Sequence, residues 1–197
     1  DLDNALDYFL KVIELNEEDY NIYIDIGIIL NKKNLFSESE SYLLKALDCG
    51  FTNKNLLMQL GISYGGQKKF LQSLIAFQNA LKFSLEDPIL HYQIGIIYKE
   101  LSIFDLAIKN LNFYLENNKN DEVTLMLIGE CHLNLKEYDN AIGIFEKTYE
   151  INKNYNALFN IGKSYEKLGD LKNAAKFYKN VIKKNPNHVK SRENLII

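Results

Sequence analysis

The chain has 197 residues, of which 47% are hydrophobic and 25% charged, ordinary values for a soluble globular protein. No stretch approaches the roughly 20 apolar residues that a membrane-spanning helix needs. Asp1 opens an acidic segment, which excludes a visible secretory signal. Because the first residue is not Met, we expect a fragment of a longer protein.

Cysteine content and charge give two further expectations. Cys49 and Cys131 lie 82 positions apart, which fits neither a disulfide framework nor a metal site. We therefore expect no metal and no cofactor, and we favour a reducing, cytoplasmic location. The net charge of −3 conceals a gradient, since residues 1–50 contain 4 basic and 11 acidic side chains and residues 153–197 contain 10 and 3.

An internal period of 34 residues is the main signal in the sequence. Five apolar–Gly pairs mark it, with their glycines at positions 27, 61, 95, 129 and 162. A large residue follows three positions after each glycine, namely Leu30, Tyr64, Tyr98, His132 and Tyr165. A small residue comes nine positions later still, at Ser39, Ser73, Ala107, Ala141 and Ala174. A second large column contains Leu43, Phe77, Leu111, Phe145 and Tyr178.

Each unit reads as two helices, for example over residues 54–67 and 70–83, because apolar residues recur at helical spacing. Small residues are needed where the two helices of a hairpin cross closely. The large columns fill the space between hairpins. One hairpin cannot bury its apolar face alone, so the units must stack.

These columns resemble the tetratricopeptide repeat (TPR) family in period and in residue order. The resemblance implies an all-α, right-handed α-solenoid of antiparallel helical hairpins that acts as a protein-binding scaffold and not as an enzyme. In chain order, we expect the second helix of an earlier repeat, five full repeats and the start of a further or capping helix. The corresponding ranges are 1–19, then 20–53, 54–87, 88–121, 122–154 and 155–188, then 189–197.

In proteins of this kind, the first helix of each repeat lines a concave groove. The groove columns predict an apolar surface for an amphipathic helix or extended peptide of a partner protein. The candidate residues are Ile24, Asp25, Ile28, Met58, Gln59, Ile62, Tyr92, Gln93, Ile96, Met126, Glu130, Phe159, Asn160 and Lys163. The polar members Asp25, Gln59, Gln93 and Asn160 could hydrogen-bond a ligand backbone. The alternative is that this face only packs against neighbouring first helices.

Some members of the family bind the acidic tails of heat-shock chaperones through a clamp of Lys, Asn, Asn, Lys and Arg. In the best register, Asn160 and Lys190 match the clamp, whereas Met126, Glu130 and Asn194 do not. We therefore expect no chaperone-tail clamp. His132 stands in a large-residue column, which predicts a partly buried core histidine rather than a metal ligand.

A basic stripe marks the last full repeat, where Lys172, Lys176, Lys179 and Lys183 share one helix face. Such a stripe usually keeps a helix soluble, and it could also attract an acidic partner or nucleic acid. Because no aromatic side chain shares that helix face, we consider nucleic-acid binding unlikely. The alternative function is self-association, in which copies join through uncovered solenoid ends or through the acidic start and the basic end.

Overall fold

The computed structural model describes residues 1–15 and 19–195, and residues 16–18 and 196–197 of the predicted terminal segments lie outside that description. The described chain is helical, with no strand in it. It divides into two compact units, Asp1–Leu101 and Ser102–Ile197. In each unit, consecutive antiparallel helices pack on one another as stacked pairs.

The first unit contains six helices. They are α1 (Leu2–Leu15), α2 (Tyr20–Lys32), α3 (Phe36–Asp48), α4 (Lys54–Gly66), α5 (Phe70–Leu81) and α6 (Pro88–Glu100). The second unit contains α7 (Phe104–Asn117), α8 (Glu122–Asn134), α9 (Tyr138–Asn152), α10 (Tyr155–Leu168), α11 (Leu171–Lys184) and the short α12 (Val189–Glu193).

Side-chain caps fix where the first helix of each pair begins. The Asp or Asn that precedes the helix accepts a hydrogen bond from a backbone N–H of the first turn, which has no partner within the helix. These caps are Asp19, Asn53, Asp87, Asp121 and Asn154. They recur with the repeat period, so this column is a start signal that the sequence carries in addition to the large and small columns.

Tight turns join the first helix of a pair to the second. In each turn one residue adopts a left-handed conformation, and these residues are Asn34, Lys68, Ser102, Lys136 and Gly169. The N–H of the next residue then bonds to the carbonyl five positions back, as in Lys69 to Tyr64 and Glu137 to His132. Four of the five turns therefore place a side chain where glycine is favoured.

The glycine column is explained by the large side chain that lies over each glycine. A Cβ atom added to Gly61 would lie 2.6–2.8 Å from the ring of Phe77, which is fully buried. The same relation joins Gly27 to Leu43, Gly129 to Phe145 and Gly162 to Tyr178. The second large column therefore packs inside its own hairpin, and Phe77 also clusters with Leu90 and Ile94 of the next helix. The prediction that this column fills only the space between hairpins was incomplete.

Candidate peptide-binding face

Nine of the predicted groove residues lie on α2, α4 and α6 of the first unit, and the structure separates them into two groups. Ile28, Met58, Ile62, Tyr92, Gln93 and Ile96 are half-buried, and Asp25 is exposed. Ile24 and Gln59 are only 4% and 8% exposed. The first group is accessible to a ligand, whereas the second belongs to the interior.

Ile24 and Gln59 therefore do not offer a ligand surface as we predicted. Ile24 lies in a core cluster with Leu43 and Leu56. The Gln59 side chain is occupied, because Asn31 Nδ2 donates to both its Oε1 and its backbone oxygen at 3.0 Å. The face of α4 that we assigned to the groove thus partly faces α2. For these two positions, the alternative prediction holds, in which this face packs against neighbouring first helices.

Gln59 belongs to a buried polar network between α2, α3 and α4 that the repeat columns did not reveal. The Ser63 hydroxyl donates to Asn31 Oδ1 at 2.8 Å, and its oxygen lies 2.9 Å from Ser39 Oγ. Ser39 Oγ in turn donates to the carbonyl of Gly27 at 2.8 Å. Buried polar groups need such partners, so the network fixes how these helices align. A signal for it was present in Ser39, because three of the other four repeats have alanine at this column position.

A cavity of about 420 Å³ opens between α4 and α6, and we call it the Gly65 cavity. Three predicted groove residues, Ile62, Gln93 and Ile96, line it together. Its other walls come from the two glycines at the end of α4 and from aromatic rings, and its rim bears two exposed charges. These residues are Gly65, Gly66, Phe36, Phe70, Phe77, Lys68 and Glu100.

Glycine is the reason that the Gly65 cavity is empty of side chains. The equivalent position carries Asn31, Lys99, Leu133 and Glu166 in the other repeats. A Cβ on Gly65 would lie 3.3 Å from Ser73 Oγ and 3.4 Å from Ile97 Cδ1, and one on Gly66 would meet the Phe36 ring. Neither glycine serves the turn, because the left-handed residue there is Lys68.

The polar groups near this face differ in how they are satisfied. Gln93 makes no side-chain hydrogen bond among the described residues, so its amide can take one from a ligand. Partial burial raises the pKa of Asp25, and the nearby Asp19 carboxylate adds to the effect. Asp25 therefore carries a charge that its surroundings do not stabilise.

The predicted groove residues of the second unit lie on α8 and α10. Met126 packs against a core cluster, and Phe159 lies 4.9 Å from the His188 ring and 5.7 Å from the Tyr178 ring. Asn160 and Glu130 are half-buried. Lys163 is exposed and borders a cavity of about 290 Å³ together with Lys136 and Lys167. Phe159 is therefore largely a packing residue, and a basic rim takes the place of the apolar cavity found in the first unit.

The histidines take structural positions. His132 is half-buried, as its column predicted, and its Nδ1 lies 2.6 Å from Glu137 Oε2. Hydrogen bonds from His132 and Asn140 lower the pKa of Glu137. His188 precedes α12 and caps it by accepting a hydrogen bond from Ser191 N. Across the residues described, no cluster of three or more metal-ligating side chains occurs, and no helix among them is both long and apolar enough to span a membrane.

Comparison with known proteins places these features in a family. Tetratricopeptide repeat models match residues 155–188 and 124–155. A TPR repeat-containing protein of Methanocaldococcus jannaschii is 33% identical over 85 residues. That match covers 42% of this chain and 15% of the length of the archaeal protein.

Solved structures share the fold at low sequence identity. One is the crystal structure of YrrB, described as a TPR protein with an unusual peptide-binding site. It has a TM-score of 0.81 at 24% identity, and the match covers 96% of this chain and 98% of the YrrB chain. MamA has a TM-score of 0.77 at 20% identity, and the match covers 87% of this chain and 94% of the MamA chain. The Cut9–Hcn1 complex of APC/C has a TM-score of 0.73 at 18% identity. The match covers 99% of this chain and 39% of the Cut9–Hcn1 chain. Residues 124–188 therefore match the tetratricopeptide repeat family, and the fold of the chain is that of a TPR solenoid of stacked helical hairpins.

Proposed function

We propose that this protein-interaction scaffold binds a peptide or helix of a partner protein on the first-helix face of its first unit. The Gly65 cavity carries the proposal, because it is an apolar recess on the face where the sequence predicts a ligand. Its volume of about 420 Å³ lies within the range of about 300–1,000 Å³ that is common for ligand pockets. YrrB, which has the same fold, is described as having a peptide-binding site.

The lining of the cavity indicates what it would hold. Aliphatic side chains of Ile62 and Ile96 and the rings of Phe36 and Phe70 surround the space, and the Gln93 amide stands beside it. This is the arrangement of a pocket for one bulky apolar side chain whose backbone is held by a hydrogen bond. We infer a binding rather than a catalytic role, since Lys68 and Glu100, the two titratable side chains in its lining, lie exposed at the rim.

The test fills the cavity with a side chain that the fold already accepts elsewhere. Peptides are selected from a random dodecapeptide library on the wild-type chain, and the tightest one is titrated against Gly65→Leu, which copies Leu133 of a later repeat. We expect the affinity to fall at least about tenfold, which corresponds to roughly 1.4 kcal/mol. Helicity measured by circular dichroism should stay unchanged.

Ile75→Ala is the matched control, because Ile75 is an apolar residue of the same unit, lies on α5 outside the cavity and is 58% exposed. It should leave the affinity unchanged. Gln93→Leu, which removes the amide without filling the cavity, should weaken binding less than Gly65→Leu. Equal affinity of wild type and Gly65→Leu, with both folded, would exclude the cavity as the binding site.

A second candidate function is self-association, and the separation of charge along the chain favours it. Residues 1–50 contain 11 acidic and 4 basic side chains, whereas residues 153–197 contain 3 and 10. Opposite charges on two ends of one chain attract the ends of different copies, and salt screens that attraction. Sedimentation velocity at 50 mM and 500 mM salt tests it. A species that stays monomeric at both salt concentrations would refute self-association through charge.

A further inference from the structure

A larger cavity lies in the second unit, between the second helices α9 and α11, and has a volume of about 830 Å³. Leu158 and Ile161 of α10 form its apolar floor, and the half-buried rings of Tyr149 and Phe177 stand in its walls. We call it the α9–α11 cavity. Because each repeat of a solenoid contacts only its neighbours, further repeats at either end would add helices beside this cavity and not over it.

The two walls of the α9–α11 cavity carry opposite charges. Glu146 and Glu150 border it on α9, whereas Lys176 and Lys183 border it on α11. All four side chains are exposed, and in the part of the chain that the structure describes no ion pair joins the two walls. These charges are therefore available to a partner that presents the same two signs in the reverse order.

The repeat sets the register of the charges on the two helices. The glycines at positions 129 and 162 lie 33 positions apart, so a residue of α9 and the residue 33 positions later in α11 occupy the same level of their helices. Glu146 thus corresponds to Lys179, and Glu150 corresponds to Lys183. At both levels, α9 presents an exposed carboxylate where α11 presents an exposed ammonium group.

This pattern is complementary to itself. A twofold axis placed over the cavity and parallel to the helices would set α9 of one copy against α11 of the other and keep every residue at its own level. Each of the two glutamates then faces the lysine of the same level on the other copy, and every contact occurs twice, as an isologous interface requires. The two apolar recesses meet at the centre. Lysine stems can cover the rings there, as Lys184 does, whose Nζ lies 5.5 Å from the centre of the Tyr149 ring.

We propose that two copies of this chain form a closed dimer through the faces of α9 and α11, so that the partner over the α9–α11 cavity is the same face of a second copy. This inference rests on self-association, the second candidate function above, and assigns it to one helix face instead of the two ends of the chain. Association through unlike ends is head-to-tail and can continue beyond two copies, whereas this contact closes at a dimer. It is independent of peptide binding in the Gly65 cavity.

Paired charge reversals test the contact by sedimentation velocity of the full chain at 50 mM salt. One variant carries Lys179→Glu with Lys183→Glu, and the other carries Glu146→Lys with Glu150→Lys. Each variant alone should dimerise at least about tenfold more weakly, because like charges then meet. An equal mixture of the two variants should form a heterodimer, since every carboxylate again faces a lysine. All four changes in one chain should restore the homodimer.

Lys119→Glu with Lys167→Glu is the matched control, since it changes the net charge by the same amount through two exposed lysines outside α9 and α11. It should weaken the dimer clearly less than the α11 pair does. Equal effects of the two lysine pairs, or a mixture of the two variants that stays monomeric, would overturn the α9–α11 contact while self-association persists. Wild-type assemblies that grow beyond a dimer would also overturn this closed contact. A monomeric wild-type chain at low salt would overturn both the contact and self-association.

Discussion

Two glycines of α8 and α9 should respond in opposite ways to the same substitution by alanine. Gly129 faces the fully buried ring of Phe145, and a Cβ there would lie 2.7 Å from Cζ and 2.8 Å from Cδ1. Gly143 is exposed, helical and has nothing within 4 Å of its added Cβ. The two sites belong to the same hairpin and differ only in what surrounds them.

The sizes of the two effects follow from the packing. At Gly143, alanine should stabilise the fold by about 1 kcal/mol, because glycine is the poorer helix former. At Gly129, the ring would have to retreat by more than about 0.7 Å to reach an ordinary contact of 3.4 Å, because Phe145 Cε1 lies closer still than Cζ. Overpacking of a core costs about 1–3 kcal/mol, which outweighs the helix gain and leaves a net loss of about 1 kcal/mol.

Thermal unfolding followed by circular dichroism measures the difference. For a chain of this length, about 1 kcal/mol shifts the Tm by about 2–4 °C, so Gly143→Ala and Gly129→Ala should lie about 4–8 °C apart. Phe145→Ala together with Gly129→Ala should be less destabilising than the sum of the two single changes, since the methyl group then enters space that the ring has left. Equal shifts for the two glycines, or strict additivity with Phe145→Ala, would refute the packing argument.

Three further predictions concern turns and titrating groups. Lys136→Gly should stabilise the fold by up to about 1 kcal/mol in urea unfolding, because it relieves a left-handed φ of 62°; a loss of stability would contradict this. Burial and the hydrogen bond to Glu166 raise the pKa of Tyr178, so the unfolded chain ionises first near pH 10 and stability falls above that pH. Tyr178→Phe should make the loss less steep between pH 9 and 11, and an unchanged slope would exclude Tyr178 as its source. Burial raises the pKa of Glu40, but hydrogen bonds from Lys69 and Gln67 outweigh this and lower it. Its contribution is therefore present above about pH 4 and is lost on further acidification, and Glu40→Gln should reduce the acid dependence measured in urea.

The helical hairpins could be predicted from the sequence because every repeat shows the same residue types at the same spacing. The Gly27, Gly61, Gly129 and Gly162 column reports a real close approach between helices. The turns were less visible, since Lys68 and Lys136 hold a conformation that usually points to glycine. Their structure depends on the packing of the two helices and overrides the local preference of lysine.

The candidate site was predictable only in part, because a first helix faces both the ligand side and its neighbour. Ile24 and Gln59 lie in the same columns as Tyr92 and Gln93, yet the first pair is buried and the second is half-buried. Periodicity cannot separate the two environments, since residues of one column take the same position on the helix in every repeat. Gly65 lies in the last turn of α4, but the cavity it leaves depends on rings from α3 and α5 and on side chains of α6.

A methyl NMR titration tests the central proposal most directly. The isoleucine δ1 methyl groups of the chain are labelled, and the selected dodecapeptide is added to saturation. We expect the Ile62 and Ile96 signals to shift, because both methyl-bearing side chains line the Gly65 cavity, while the exposed Ile75 signal stays in place. Saturable binding that leaves Ile62 and Ile96 unshifted would contradict peptide recognition by this face.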